Sequence, residues 1–144
     1  MSSGVNPVYA LTFGVNTSGR GSDATTVVKD TTALSIAIDG KVEEWTPLDA
    51  EGWTRRLMTG KSITITMGGK RNYGDPGNDY VAGLAYKNGQ DCNSVFSVIF
   101  PDGSKLSFDC VINVTGLGGE STNVDALSWT VLSDGKPTYT AASA

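Results

Sequence analysis

Apolar and polar residues alternate with period two along several stretches of this chain. The clearest runs through Leu106, Phe108, Cys110, Ile112 and Val114, with Ser107, Asp109, Val111 and Asn113 between them. Successive strand side chains point to opposite faces, so this pattern predicts a strand with one face in a core and the other mostly polar. Cys110 falls on the apolar face and reads as a small hydrophobe. Val95 to Phe100 precedes it, and Pro101-Asp102-Gly103-Ser104 supplies the backbone angles of a tight turn, so the two form a hairpin. Further strands are expected over Tyr9 to Phe13, Leu34 to Ile38, Ile63 to Met67 and Leu127 to Leu132. Asp39-Gly40 reads as a second turn, joining the strand that ends at Ile38 to Lys41 through Trp45.

One segment departs from period two. Asp75 can cap a helix, Pro76 suits its first position, and Asn88-Gly89 can close it in a left-handed turn. Tyr80, Val81, Leu84 and Ala85 recur at helical spacing, and Lys87 would complement the dipole in the last turn. The expected fold is therefore mostly β with one short helix packed on a sheet.

Residues 16–25, 46–60 and 115–125 read as loops. The second is rich in interface residue types, with Trp53, Arg55, Arg56, Leu57 and Met58 beside Asp49 and Glu51. Loops of this length in a small domain usually serve a function or are disordered. Two readings stand: a subunit interface, or a short helix from Asp49 to Leu57 that covers the domain's own core. Residues 115–125 are glycine-rich and read as flexible.

Composition narrows the chemistry. The 144 residues are 39% hydrophobic and 18% charged, which suits one globular domain able to bury a core without disulfide or metal support. The net charge of −4, with eleven scattered Lys and Arg, offers no basic stripe for gripping nucleic acid. No amino-terminal signal pattern or membrane-length apolar run is seen, so a soluble cytoplasmic product is expected, without membrane insertion. There Cys92 and Cys110 are expected to be reduced and the sequons at Asn16 and Asn113 unused.

Histidine is absent, which removes the commonest general base and metal ligand and every Ser-His-Asp or Cys-His arrangement. Two cysteines eighteen positions apart make a poor zinc site. Gly60-Lys61-Ser62 ends like a phosphate-binding loop, but Arg55 stands where the first glycine is required, and Ile63 to Met67 reads as strand rather than helix. Gly19-Arg20-Gly21-Ser22-Asp23-Ala24 loosely resembles a dinucleotide fingerprint, yet Thr25 to Val28 favours strand. Glu43 and Glu44 would point to opposite faces, and Asp75, Asn78 and Asp79 miss the calcium-loop spacing. Asp75 and Asp79 read instead as a cap and a first-turn charge. No catalytic, cofactor-binding or metal residue is expected, and no enzyme.

The run Gly68-Gly69-Lys70-Arg71-Asn72-Tyr73-Gly74-Asp75-Pro76-Gly77-Asn78-Asp79-Tyr80-Val81-Ala82-Gly83-Leu84-Ala85-Tyr86-Lys87-Asn88-Gly89, followed by the hairpin and a last strand, resembles the tail tube proteins of long-tailed bacteriophages. The similarity spans about Leu34 to Thr138 and lies in the order of elements rather than in a single motif. It implies a β-sandwich or half-barrel with one helix packed on it, forming a single domain over residues 1–144. An amino-terminal arm at 1–15 is expected to order on stacking, and an extended loop at 46–60 to reach a neighbouring subunit.

The function this resemblance implies is a virion protein that assembles with itself into stacked hexameric rings, a hollow tail tube for genome delivery. Its expected partners are further copies, a tape measure protein, a tail terminator and baseplate proteins, with DNA passing through the lumen without specific binding. Trp53, Arg55, Arg56, Leu57 and Met58 become subunit-interface candidates, and Ser107, Asp109 and Asn113 lumen-facing candidates. The protein would be made in the host bacterial cytoplasm and reside in the virion tail. Unlike larger family members, the protein is expected to carry no added carboxy-terminal immunoglobulin-like domain. A ring-forming connector, a baseplate hub component or the tube of a phage-like injection particle is the alternative, and an enzyme or small-ligand binder is a third reading.

Overall fold

A computed structural model of the chain describes residues 4–21 and 24–141. Its strands are β1 (Thr12–Val15), β2 (Thr31–Trp45), β3 (Arg55–Lys70), β4 (Asn93–Ile99), β5 (Lys105–Gly118), β6 (Ala126–Ser133) and β7 (Thr138–Thr140), and α1 (Pro76–Gly83) lies between β3 and β4. They form one antiparallel sheet in the order β1-β4-β5-β6-β3-β2. β7 pairs with Lys105–Ser107, following β6 along the same side of β5.

The period-two reading of β5 holds. Phe108, Cys110 and Ile112 are buried, while Asp109 and Asn113 are exposed. Phe96 lies directly opposite Phe108, and Val114 opposite Trp129. Phe96 is the centre of the core, with ring centroids 5.9 Å from Phe13, 6.0 Å from Phe108 and 6.2 Å from Trp129. Val81, Ala82 and Leu84 cover this face from the helical segment. Leu11 and Phe13 at the β1 edge and Leu34 on β2 wall a common cavity of about 400 Å³. The sheet therefore curls until its two outer strands approach across the core without pairing, a half-barrel.

The helix starts as expected. Asp75 Oδ2 accepts the Asn78 backbone N–H at 2.9 Å, and Pro76 occupies the first turn. It ends sooner: α1 stops at Gly83, a poor helix residue, and a 3₁₀ turn over Leu84–Tyr86 drops Leu84 into the core. Lys87 and Asn88 are extended, so Lys87 lies beyond any helical turn.

Several loop and turn readings are corrected. Asp39-Gly40 is not a turn, because β2 runs straight through it with Asp39 opposite Ser62 and Gly40 opposite Lys61. A side chain at Gly40 would meet Met58 Sδ and Cε at 3.0 Å, so the glycine makes room for a cross-strand contact. The segment 46–60 is a loop only as far as residue 54; Arg55 to Gly60 belong to β3. The Asp49-to-Leu57 helix does not form. Leu48–Ala50 makes one 3₁₀ turn, which left-handed Glu51 and Gly52 then break. β5 continues to Gly118, shortening the glycine-rich loop. Residues 25–28 contribute only an isolated bridge at Thr26, to Val15. The start of the Tyr9-to-Phe13 strand is a 3₁₀ turn, Val8–Ala10. Of the loosely fingerprint-like segment, Ser22 and Asp23 lie outside the described residues. Among the described residues no helix is long and apolar enough to cross a membrane.

Candidate assembly interface

β2 and β3 outlast the sheet that carries them. β3 pairs with β6 only from Thr64 to Lys70, but with β2 as far as Trp45 opposite Arg55. The pairs from Ile38–Ile63 to Trp45–Arg55 thus form a two-stranded arm. From Ile38 to Trp45 it spans seven residue steps at about 3.4 Å each, about 24 Å. A register shift between Lys41 and Val42 leaves Thr59 as an extra residue, a bulge that adds twist.

The arm holds its shape with its own polar groups. Arg56 Nε donates to Glu44 Oε1 at 2.6 Å, and the Arg55 guanidinium lies 5.7 Å from the Trp45 ring centre. Its apolar side chains are left in water. Trp53 is 77% exposed at the tip, Leu48 is fully exposed, and Leu57, Met58, Val42 and Ile38 are all exposed. Apolar groups concentrated this way on a narrow projection make the arm a candidate interaction surface.

All five predicted interface residues thus sit on one element. Trp53 is in the tip loop, Arg55 and Leu57 share one face of the arm, and Arg56 and Met58 share the other. Sequence reading missed Leu48, Val42 and Ile38. A leucine between Pro47 and Asp49, inside a segment that reads as loop, was the available signal.

The second candidate surface is the sheet face turned away from α1. Ser107, Asp109 and Asn113 all lie on it, on alternate positions of β5. Pairing extends it across the sheet: Asn113, Thr130, Thr66 and Ser35 form one row, and Val111, Leu132, Thr64 and Ala37 the next. Short hydroxyl, amide and aliphatic groups thus line its centre. The arm residues and these three β5 residues form two separate surfaces.

The glycine-rich run that leads into α1 is a polar hub that fixes the fold. The fully buried Asn78 side chain donates to Lys29 O at 3.1 Å and Lys70 O at 2.9 Å, while its oxygen accepts from Asn72 N and Arg71 Nη1, both at 2.9 Å. Asp75 also accepts from Lys29 N at 3.1 Å. Arg71 pairs with Asp79 at 2.8 Å and stacks 4.0 Å from the Tyr73 ring centre. A side chain at Gly77 would strike the Val27 carbonyl, so glycine lets that strand of chain cross. Asp75 and Asp79 are consumed by these bonds, as their structural reading required.

The two cysteines are free thiols. Burial pushes the Cys110 thiol up to about 12, which leaves it protonated and unreactive at neutral pH. Burial also raises the Tyr80 hydroxyl.

A curled antiparallel sheet, one covering helix and a projecting hairpin define a tail tube fold. Solved chains that share it include one from the tail of an empty gene transfer agent particle reconstructed with C6 symmetry. It superposes with a TM-score of 0.78 at 18% identity, over 95% of this chain and all of the other. A chain from the virion of a native gene transfer agent particle gives 0.71 at 17% identity, over the same 95% of this chain and all of the other. No family model and no curated protein sequence matches this chain.

Proposed function

We propose that this chain is a structural subunit of a phage-like tail that assembles with copies of itself into stacked hexameric rings, forming a tube for genome delivery. The observation that carries this reading is the shared fold, over 95% of the chain, with a tail reconstructed under six-fold symmetry. The arm supports it independently, since an exposed apolar projection on a stable body needs a second copy to cover it. Trp53, Arg55, Arg56, Leu57 and Met58 then contact a neighbour. The outer edge of β2 offers backbone groups for pairing around a ring, as does β1 ahead of its bridge from Val15 to Thr26.

The face bearing Ser107, Asp109 and Asn113 is assigned to the lumen. Short polar groups with an acidic member would let a polyanion slide without holding it. The work is assembly rather than catalysis, in a virion tail, beside tape measure, terminator and baseplate proteins.

Negative-stain microscopy of the purified protein tests this directly. Long hollow tubes are expected at high concentration. A connector or hub component would stop at a closed ring, and a monomer at every concentration would sink the proposal. Asp109→Lys should leave tubes intact while lowering infectivity through slowed DNA passage; unchanged infectivity removes the lumen assignment.

A further inference from the structure

The sheet splits at the base of the arm. β3 and β6 part at Ile63 and Ser133, where Ile63 N–H donates to Ser133 Oγ at 2.9 Å in place of a ladder bond. Gly135, in the left-handed region, then turns the chain away, and β7 begins just after Pro137. The divergence leaves a cavity of about 580 Å³ with an apolar floor from Ile38, Ile63 and Pro137 and a rim carrying Lys61 and Lys136. That volume is in the range of pockets that bind whole ligands.

The far end of the same arm has the opposite character. Leu48 is fully exposed, Trp53 is exposed in the same tip loop, and the tip acids are Asp49 and Glu51. The tip arginines are occupied within the hairpin, Arg56 by Glu44 and Arg55 by Trp45. Asp49, Glu51, Lys61 and Lys136 take part in none of the ion pairs among the described residues. One end of the arm therefore offers an apolar knob flanked by acids, and the other an apolar socket rimmed by lysines.

We infer that the arm tip of one copy seats in the arm-base cavity of a second copy, Leu48 against the Ile38–Ile63–Pro137 floor and Asp49 and Glu51 toward Lys61 and Lys136. The inference rests on the self-assembly reading and names the receptor for the arm. Knob and socket lie about 24 Å or more apart on one chain, so they cannot meet within it. Joined between copies they make a heterologous contact, which repeats along an axis when its rotation does not close. Axial growth would then advance by about an arm's length per layer.

Cross-linking tests this in a Cys92→Ser background, after microscopy has shown that wild-type and Cys92→Ser chains form tubes. Leu48→Cys mixed with Pro137→Cys should give disulfide-linked dimers on oxidation, because only a contact between copies brings those positions within about 7 Å. Tubes that form without this cross-link overturn the inference while leaving the tube reading intact. So does preferential cross-linking of Leu48→Cys to Thr32→Cys, in the cleft between the sheet's outer strands. Lys61→Glu with Lys136→Glu should raise the concentration needed for tubes about tenfold or more, and adding Asp49→Lys with Glu51→Lys should restore it. Failure of the swap to restore growth counts against the pairing. A wild-type chain that forms no tubes at any concentration removes the self-assembly reading, and this inference with it.

Discussion

The hub beneath α1 and the projecting arm use the same kinds of residue to opposite ends. Each pairs an arginine with a carboxylate and sets an arginine against an aromatic ring. In the hub, the Arg71 side chain is 12% exposed and its partners include the buried Asn78. In the arm, Arg56 and Glu44 are 62% and 55% exposed. Water screens the second pair, and such exposed pairs contribute about 1 kcal/mol or less. The hub's bonds lie where an unmade partner is costly. One region stabilises the chain, whereas the other keeps a shape that the isolated chain does not need.

Breaking the hub should have the largest effect on stability. Asn78→Ala would remove the side-chain partner of the Lys29 and Lys70 carbonyls and the Asn72 N–H and empty a fully buried site, at a cost of about 3 kcal/mol in urea unfolding. A loss under about 1 kcal/mol would mean that the hub is not what pins α1 to the sheet.

Breaking the arm should do the reverse. Trp53→Ala with Arg55→Ala should leave unfolding free energy within about 0.5 kcal/mol, as for surface sites elsewhere, while sharply reducing polymerisation. Assembly that persists unchanged would show that these residues are not the interface.

A smaller effect concerns alkaline stability. The folded Cys110 thiol holds its proton to about 12, whereas the unfolded chain releases it near 9.0. Its contribution is whole below pH 9.0 and is lost as pH rises toward 12. Cys110→Ala should flatten that decline relative to wild type in unfolding measured at a series of pH values. In the native protein a thiol reagent should label Cys92 well before Cys110.

The smallest effect lies in the β4–β5 turn. The Ser104 hydroxyl donates to Asp102 at 2.6 Å and the Ser104 N–H at 2.9 Å, and these bonds lower the carboxyl below its ordinary 3.8. Stability from this turn is present above that value and fades as pH falls through the folded midpoint. Ser104→Ala should move the Asp102 midpoint upward in an NMR titration; no movement would remove the hydroxyl as the main cause.

Much of the body was legible because its burial is written locally. The alternation from Leu106 to Val114 records one wet and one dry face, and Asp75-Pro76 marks a helix start from neighbouring atoms alone. The β3 half of the arm left no such record. With both faces in water, Arg55 to Gly60 have no reason to alternate, so a true strand reads as loop. Asp39-Gly40 looked like a turn because the strand pairing that carries β2 past it comes from residues over twenty positions away. The hub was opaque for the same reason, since Asn78 and Asp75 both reach Lys29, over forty positions away.

The sequence alone determined a mostly β chain with a capped helix, a tight hairpin and no histidine chemistry, because each depends on composition or on spacing between near neighbours. Only the tertiary structure decided where the sheet splits, how far its hairpin projects and which polar groups lock it. Those features depend on distant segments meeting, and the surfaces left uncovered when they meet carry no period along the chain.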